Sequence, residues 1–147
     1  MFKLKYFTVQ ELVPKEVFLA RGVKAIELMD KELLVFIDKL REVLGKPITI
    51  NTWNAGGVFS YRGLRTIECP QYSAYSQHTY GKALDFDVAG MSAHEVREWI
   101  IANKNLDWVK PISFIEDNVN WVHVDTRPSV DGTLVLWDPK TNKVKTY

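Results

Sequence analysis

The stretch Ser76-Gln77-His78-Thr79-Tyr80-Gly81-Lys82-Ala83-Leu84-Asp85, answered downstream by Trp121-Val122-His123-Val124-Asp125, decides how this chain is read. Both segments run into strand patterns, in which side chains at every second position share a face. Along Leu84-Asp85-Phe86-Asp87-Val88 the two carboxylates point one way and the three apolar side chains the other. Along 121–125, Trp121, His123 and Asp125 share a face, and Val122 and Val124 lie opposite. Two such strands side by side present carboxylates and a histidine on a polar face above an apolar floor. His78 lies seven residues before Asp85 with Gly81 between them. A glycine there permits the tight path that returns a loop histidine over the strand. Two imidazoles and a carboxylate, with a fourth position open to water, are the donor set of a catalytic zinc, whereas structural zinc sites close all four positions with Cys and His. The chain has one Cys, which excludes a thiolate cage. The spacing matches no short zinc motif. On spacing alone a second reading stays open, in which Asp85 and Asp87 cap turns and the histidines sit on a wet surface.

Composition narrows the classes around this pattern. At 147 residues the chain is expected to form one domain, 1–147, with enough chain to bury a core. Its 46% hydrophobic and 12% aromatic content argues against disorder. A net charge of +1 gives no basic footprint for nucleic acid. Lone Cys69 has no disulfide partner, which suits a reducing compartment. The start MFKLKYFTVQELVPKEVF has no uninterrupted apolar stretch and no small-residue cleavage site, and no later segment is long enough to span a bilayer. Synthesis in the cytoplasm without a signal peptide, and no stable membrane insertion, are therefore expected. The sequence says nothing of oligomeric state.

The chain reads as helices followed by a β-rich half. Thr8 with Glu11 three residues on is a capping-box pattern, so a short helix is expected to follow and stop near Pro14. From Glu16 to Leu44, residues such as Leu33, Leu34, Phe36, Ile37, Leu40 and Leu44 recur at helical spacing, with a break expected at Arg21-Gly22 or Asp30. Gly45-Lys46-Pro47 is a stop signal. Ile48-Thr49-Ile50 begins the β-rich half, and Asn54 to Ser76 reads as a long functional loop. Leu84 to Val88 is a strand. Ser92 with Glu95 caps a helix running to about Asn103. Pro111–Ile115 and Trp121–Val124 are expected as strands joined by a turn at Asp117-Asn118-Val119-Asn120, and Leu134–Trp137 as a last strand before a turn. The fold class is α+β, N-terminal helices on a small, mainly antiparallel sheet.

The form S-x-H-x-x-G-x-A-x-D at Ser76–Asp85, with W-x-H-x-D at Trp121–Asp125, resembles the zinc D-Ala-D-Ala carboxypeptidase and L-alanyl-D-glutamate endopeptidase group, which shares its fold with the hedgehog signalling domain. Phe59-Ser60-Tyr61-Arg62-Gly63-Leu64-Arg65 resembles that group's arginine-bearing segment, and the short layout is most like members common in bacteriophage and prophage genomes. The resemblance implies a zinc peptidase acting on peptidoglycan stem peptides, released to the wall through a separate phage pore or carried on the virion. It implies His78, Asp85 and His123 as Zn2+ ligands, and Arg62 or Arg65 as the cation that binds a substrate carboxylate or developing oxyanion. Many relatives carry an acid three residues before the last histidine; here that residue is Asn120, which cannot act as a base. Glu116 and Asp117, seven and six residues before His123, are the carboxylates left for that task. Glu116 is favoured because it can end its strand facing His123, while Asp117 is a natural turn residue. Asn120 also supports an alternative, a non-catalytic zinc-binding or virion-associated module on the same scaffold. Asp87 and Asp125 are candidate acceptors for ligand imidazole N–H groups.

The remaining conspicuous residues read as structural. His94-Glu95 lacks the second histidine of a zincin helix. Trp53, Trp99, Trp108 and Trp137 read as core, while Trp121 beside His123 is placed to line a cleft.

Overall fold

Two short signals punctuate the N-terminal half of the computed structural model, which describes residues 2–147. Glu11 accepts the Thr8 backbone N–H at 2.7 Å, but only a 3-10 turn, Val9–Glu11, follows. Pro14, in extended conformation, then caps helix α1 (Lys15–Arg21). The break expected at Arg21-Gly22 or Asp30 falls at both places. Arg21-Gly22 ends α1 and opens a 3-10 segment, Gly22–Leu28, and Asp30 caps α2 (Lys31–Leu44) by accepting from the Glu32 N–H. Helix α2 buries Leu33, Leu34, Phe36, Ile37 and Leu40, and Gly45 closes it in the left-handed conformation.

Six strands form one sheet in the order β1-β2-β4-β3-β5-β6. They are β1 (Ile48–Thr49), β2 (Ala83–Val88), β3 (Phe114–Glu116), β4 (Val122–Asp125), β5 (Val135–Trp137) and β6 (Val144–Thr146). All neighbours run antiparallel except β3 and β5, which are parallel. The protein is thus α+β with a mixed, mainly antiparallel sheet. Residues 111–113 are not strand as expected. Pro111 has no N–H for a ladder, and Ile112 turns back to the Val109 carbonyl at 2.9 Å. Strand β6 was not signalled; all three of its residues are exposed, so it carries no alternation to read.

Helix α3 (Ala93–Ala102) is capped as expected: the Ser92 hydroxyl accepts the Glu95 N–H at 3.1 Å, and the Glu95 carboxylate accepts the Ser92 N–H at 2.8 Å. Leu84 and Phe86 of β2, Val122 and Val124 of β4 and Ile115 of β3 form one cluster with Phe36, Ile37 and Leu40 of α2 and Val96 and Ile100 of α3. Each such buried side chain contributes about 1.5–3 kcal/mol. A one-residue slip of β2 or β4 would turn that set outward. Core packing therefore holds Asp85, His123 and Asp125 on the opposite face. Among the described residues no helix is long and apolar enough to cross a membrane.

Candidate metal centre

The register of β2 against β4 sets Asp85 directly opposite His123. Asp85 Oδ1 lies 2.8 Å from His123 Nδ1, and Asp125 Oδ2 lies 3.0 Å from His123 Nε2. His78 arrives from a 3-10 turn, Gln77–Tyr80, whose Ser76 hydroxyl accepts the His78 N–H at 3.3 Å. Gly81 ends that turn at φ 69°, and a Cβ there would strike the Leu28 carbonyl. His78 Nδ1 lies 2.8 Å from the Gly63 carbonyl oxygen. A carbonyl only accepts, so Nδ1 carries the proton and Nε2 faces the cluster. That Nε2 is 3.3 Å from Asp85 Oδ2.

One donor atom each from His78, Asp85 and His123 fall within 4.8 Å of one another. Ligands around a tetrahedral ion at about 2.1 Å stand about 3.4 Å apart, so the set is already near the size a zinc-like ion needs. Outer partners fix each ring, Gly63 for His78 and Asp125 for His123, as metal-binding histidines require. The three side chains floor a cleft of 410 Å3 whose walls include Arg65, Gln71, Tyr75, Glu116, Trp121 and Arg127.

A family model described as Peptidase M15 matches residues 5–125, most of the chain and all three of these side chains. The chain belongs to the peptidase M15 family. No curated protein and no solved structure matches it. This M15 peptidase is thus a member of the D-Ala-D-Ala carboxypeptidase-like metallopeptidases, with a His-Asp-His cluster able to hold a metal.

Electrostatics follow from the burial of the cluster. Burial alone would raise the Asp85 carboxyl's pKa, but hydrogen bonds and charge from His123 and His78 outweigh it and hold the group well below the usual carboxylate range. Burial alone would lower His123, but hydrogen bonds to Asp125 and Asp85 push it up to about 9. Both ring nitrogens face carboxylate oxygens, so the metal-free ring is an imidazolium near neutral pH. A metal on Nδ1 must displace that proton, and affinity therefore weakens as pH falls below about 9. Zinc titrated into metal-free protein at pH 7.5 is expected to release about one proton from His123. Calorimetry in phosphate and in Tris reads this as different heats; equal heats would mean a ring already neutral.

The remaining candidates separate by position. Glu116 ends β3, and continuing the Phe114↔Asp125, Ile115↔Val124 register sets it across from His123, in the cleft. Asp117 accepts its neighbour Asn118's N–H at 2.8 Å and stands 3.5 Å from Arg97 Nε. Arg97, buried on α3, also donates from Nη1 to the Val119 and Trp121 carbonyls, both at 3.2 Å, and so holds the β3–β4 turn. Arg65 donates from Nε to the Tyr61 carbonyl and from Nη2 to Asp85 Oδ2 at 2.9 Å, and it lines the cleft. Arg62 is engaged elsewhere. It pairs with Asp87 at 2.8 Å, lies over Phe59 and lines an adjoining depression with Asp85, Asn120 and Trp121. Asp87 thus meets Arg62 and not an imidazole. His94 is exposed, and Cys69 is buried. Arg127 is the residue that sequence reading missed. It binds Asp125 through Nε and Nη2 at 2.7 and 2.6 Å. The 123, 125, 127 alternation was its signal, but the strand pattern stops at Asp125.

Proposed function

We propose that this M15 peptidase is a zinc-dependent hydrolase of peptide bonds in peptidoglycan stem peptides, acting as a carboxypeptidase or endopeptidase. The observation that carries the proposal is the His78, Asp85 and His123 donor set on the floor of a cleft that also holds Glu116 and Arg65. Zinc there supplies a Lewis acid and brings water within reach of ionisation near neutral pH. Glu116 then accepts the proton of the attacking water and returns it to the leaving amine. Arg65, oriented by Tyr61 and Asp85, offers its remaining N–H groups to a substrate carboxylate or to the developing oxyanion. Asp125 and the Gly63 carbonyl keep the two imidazoles in the metal-binding tautomer. The proposed setting is phage-type lysis, with delivery to the wall through a separate pore.

Bound metal and wall-peptide cleavage are to be measured on one purified sample, with His123→Ala beside it. One zinc per chain and cleavage, both lost in the variant, is the expected result. The second reading, a non-catalytic zinc module, is favoured by Asn120 in place of the usual acid. Zinc without cleavage across several wall peptides would support it, and failure to take up zinc at all would sink both.

A further inference from the structure

The chain beyond Asp125 lies outside the family match, yet it contributes to the cleft. Arg127 follows His123 and Asp125 on the same face. Its guanidinium is held edge-on by the bidentate Asp125 contact, and its central carbon stands 3.6 Å from the centroid of the Phe114 ring. Nε and Nη2 make those bonds; among the described residues Nη1 takes no partner. The Arg127 side chain is 38% exposed. It lines both the metal cleft and a neighbouring groove of 480 Å3, walled also by Lys104, Lys110, Thr133 and Tyr147. Its charged lining is Lys104, Glu32, Lys110, which pairs with Asp107 at 3.1 Å, and Arg127, which pairs with Asp125. Arg65 and Arg127 therefore stand at opposite ends of one chain of contacts, Arg65–Asp85–His123–Asp125–Arg127.

We propose that Arg127 is a specificity-determining residue that takes a substrate carboxylate on its Nη1, where the metal cleft borders the neighbouring groove. The proposal rests on the peptidase reading above and adds the part of the substrate that lies beyond the reacting bond. A guanidinium already fixed on two sides loses little further freedom in taking an anion. With Arg65 on the Asp85 flank for a terminal carboxylate, the group left for Arg127 in a stem peptide whose third residue is lysine is the free carboxylate of its γ-linked glutamyl residue. Amidation of that carboxylate removes the charge and leaves the shape.

Three peptides test this: an unmodified stem pentapeptide, the same peptide with the glutamyl carboxylate amidated, and the same peptide with its C-terminus amidated. For each, affinity is measured on metal-free protein and kcat/KM on zinc-loaded protein, in the native chain, Arg127→Met and Arg127→Lys. The native chain is expected to prefer the free glutamyl carboxylate about tenfold, the worth of one charge-assisted hydrogen bond. Arg127→Met flattens that ratio and leaves the C-terminal ratio unchanged; Arg127→Lys restores part of it. A ratio within one variant cancels any general loss caused by disturbing Asp125. A glutamyl ratio that is absent in the native chain, or unchanged in Arg127→Met, overturns the proposal even if cleavage is vigorous. A binding preference without cleavage keeps Arg127's role and removes the peptidase reading.

Discussion

Glu116→Gln lowers kcat on a wall peptide by about 10²–10⁴-fold while the protein still binds zinc. Glutamine keeps the shape and hydrogen-bonding reach of glutamate but cannot take a proton. Glu116 lines the cleft and follows in register across from His123, without being in the donor cluster itself. The loss therefore falls on the chemical step and not on metal content. Asp117→Asn behaves differently. Its partner is Arg97, a buried guanidinium on α3 whose Nε has no other partner among the described residues. Because the Asp117 side chain is one-third exposed, that substitution costs about 1 kcal/mol of stability, with kcat little changed. Steady-state kinetics, zinc content and thermal melting on the two variants separate these outcomes. A reversal, with Asp117→Asn inactive and Glu116→Gln active, would reassign the base.

Gly81→Ala is expected to destabilise the fold by about 3–5 kcal/mol and to weaken zinc binding at the same time. Two costs add at this position. A positive φ is unfavourable for any residue with a Cβ, at about 1 kcal/mol. The new methyl also meets the Leu28 carbonyl, which is backbone and cannot step aside as a side chain would. The Asp30 N–H bonds to the Gly81 carbonyl at 2.9 Å, so the displacement reaches the cap of α2 as well as the His78 turn. Gly56→Ala is the matched control. Gly56 also has positive φ, at 83°, but a Cβ there meets nothing within 4 Å, so only the conformational cost of about 1 kcal/mol remains. Equal melting shifts for the two variants would show that the close approach to Leu28 carries no weight.

What the sequence reveals and what it hides divide along physical lines. Ser92 with Glu95 is a local signal in which side chains bond backbone groups a few residues away, and it acts as read; Asp30 was read only as a possible break, and it caps α2. The alternation of β2 and β4 also reads directly, because burial of Leu84, Phe86, Val122 and Val124 is what fixes it. Glycine and proline marked where helices break but not which helix type lies between them, so Val9–Glu11 and Gly22–Leu28 emerged as 3-10. Glu116 was favoured over Asp117 from its place at a strand end, while Arg62 and Arg65 were left open, because spacing does not say which of them lines the cleft. One residue along a strand or loop reverses a side chain's direction, and only the register against β4 and the path of the 54–76 loop decide it. That path is set by distant backbone contacts, such as the Asp85 N–H on the Arg62 carbonyl at 2.7 Å and the Leu64 N–H on the Leu12 carbonyl at 3.0 Å. Arg127 was signalled only by its place in the 123, 125, 127 alternation, and the strand pattern stops two residues before it.

The three donors are not equally anchored. Asp85 and His123 belong to paired strands in the interior of the sheet order, flanked by β1 and β3, whereas His78 hangs on a four-residue turn held by a few bonds. Amides of β2 and β4 open only with most of the fold, while those of the Gln77–Tyr80 turn open at far lower cost. Of the three residues that would hold an ion, His78 would therefore be the first to let go. The lifetime of a metal bound there would thus be a property of that turn, with hydrogen exchange at 77–80 as the clock that reads it.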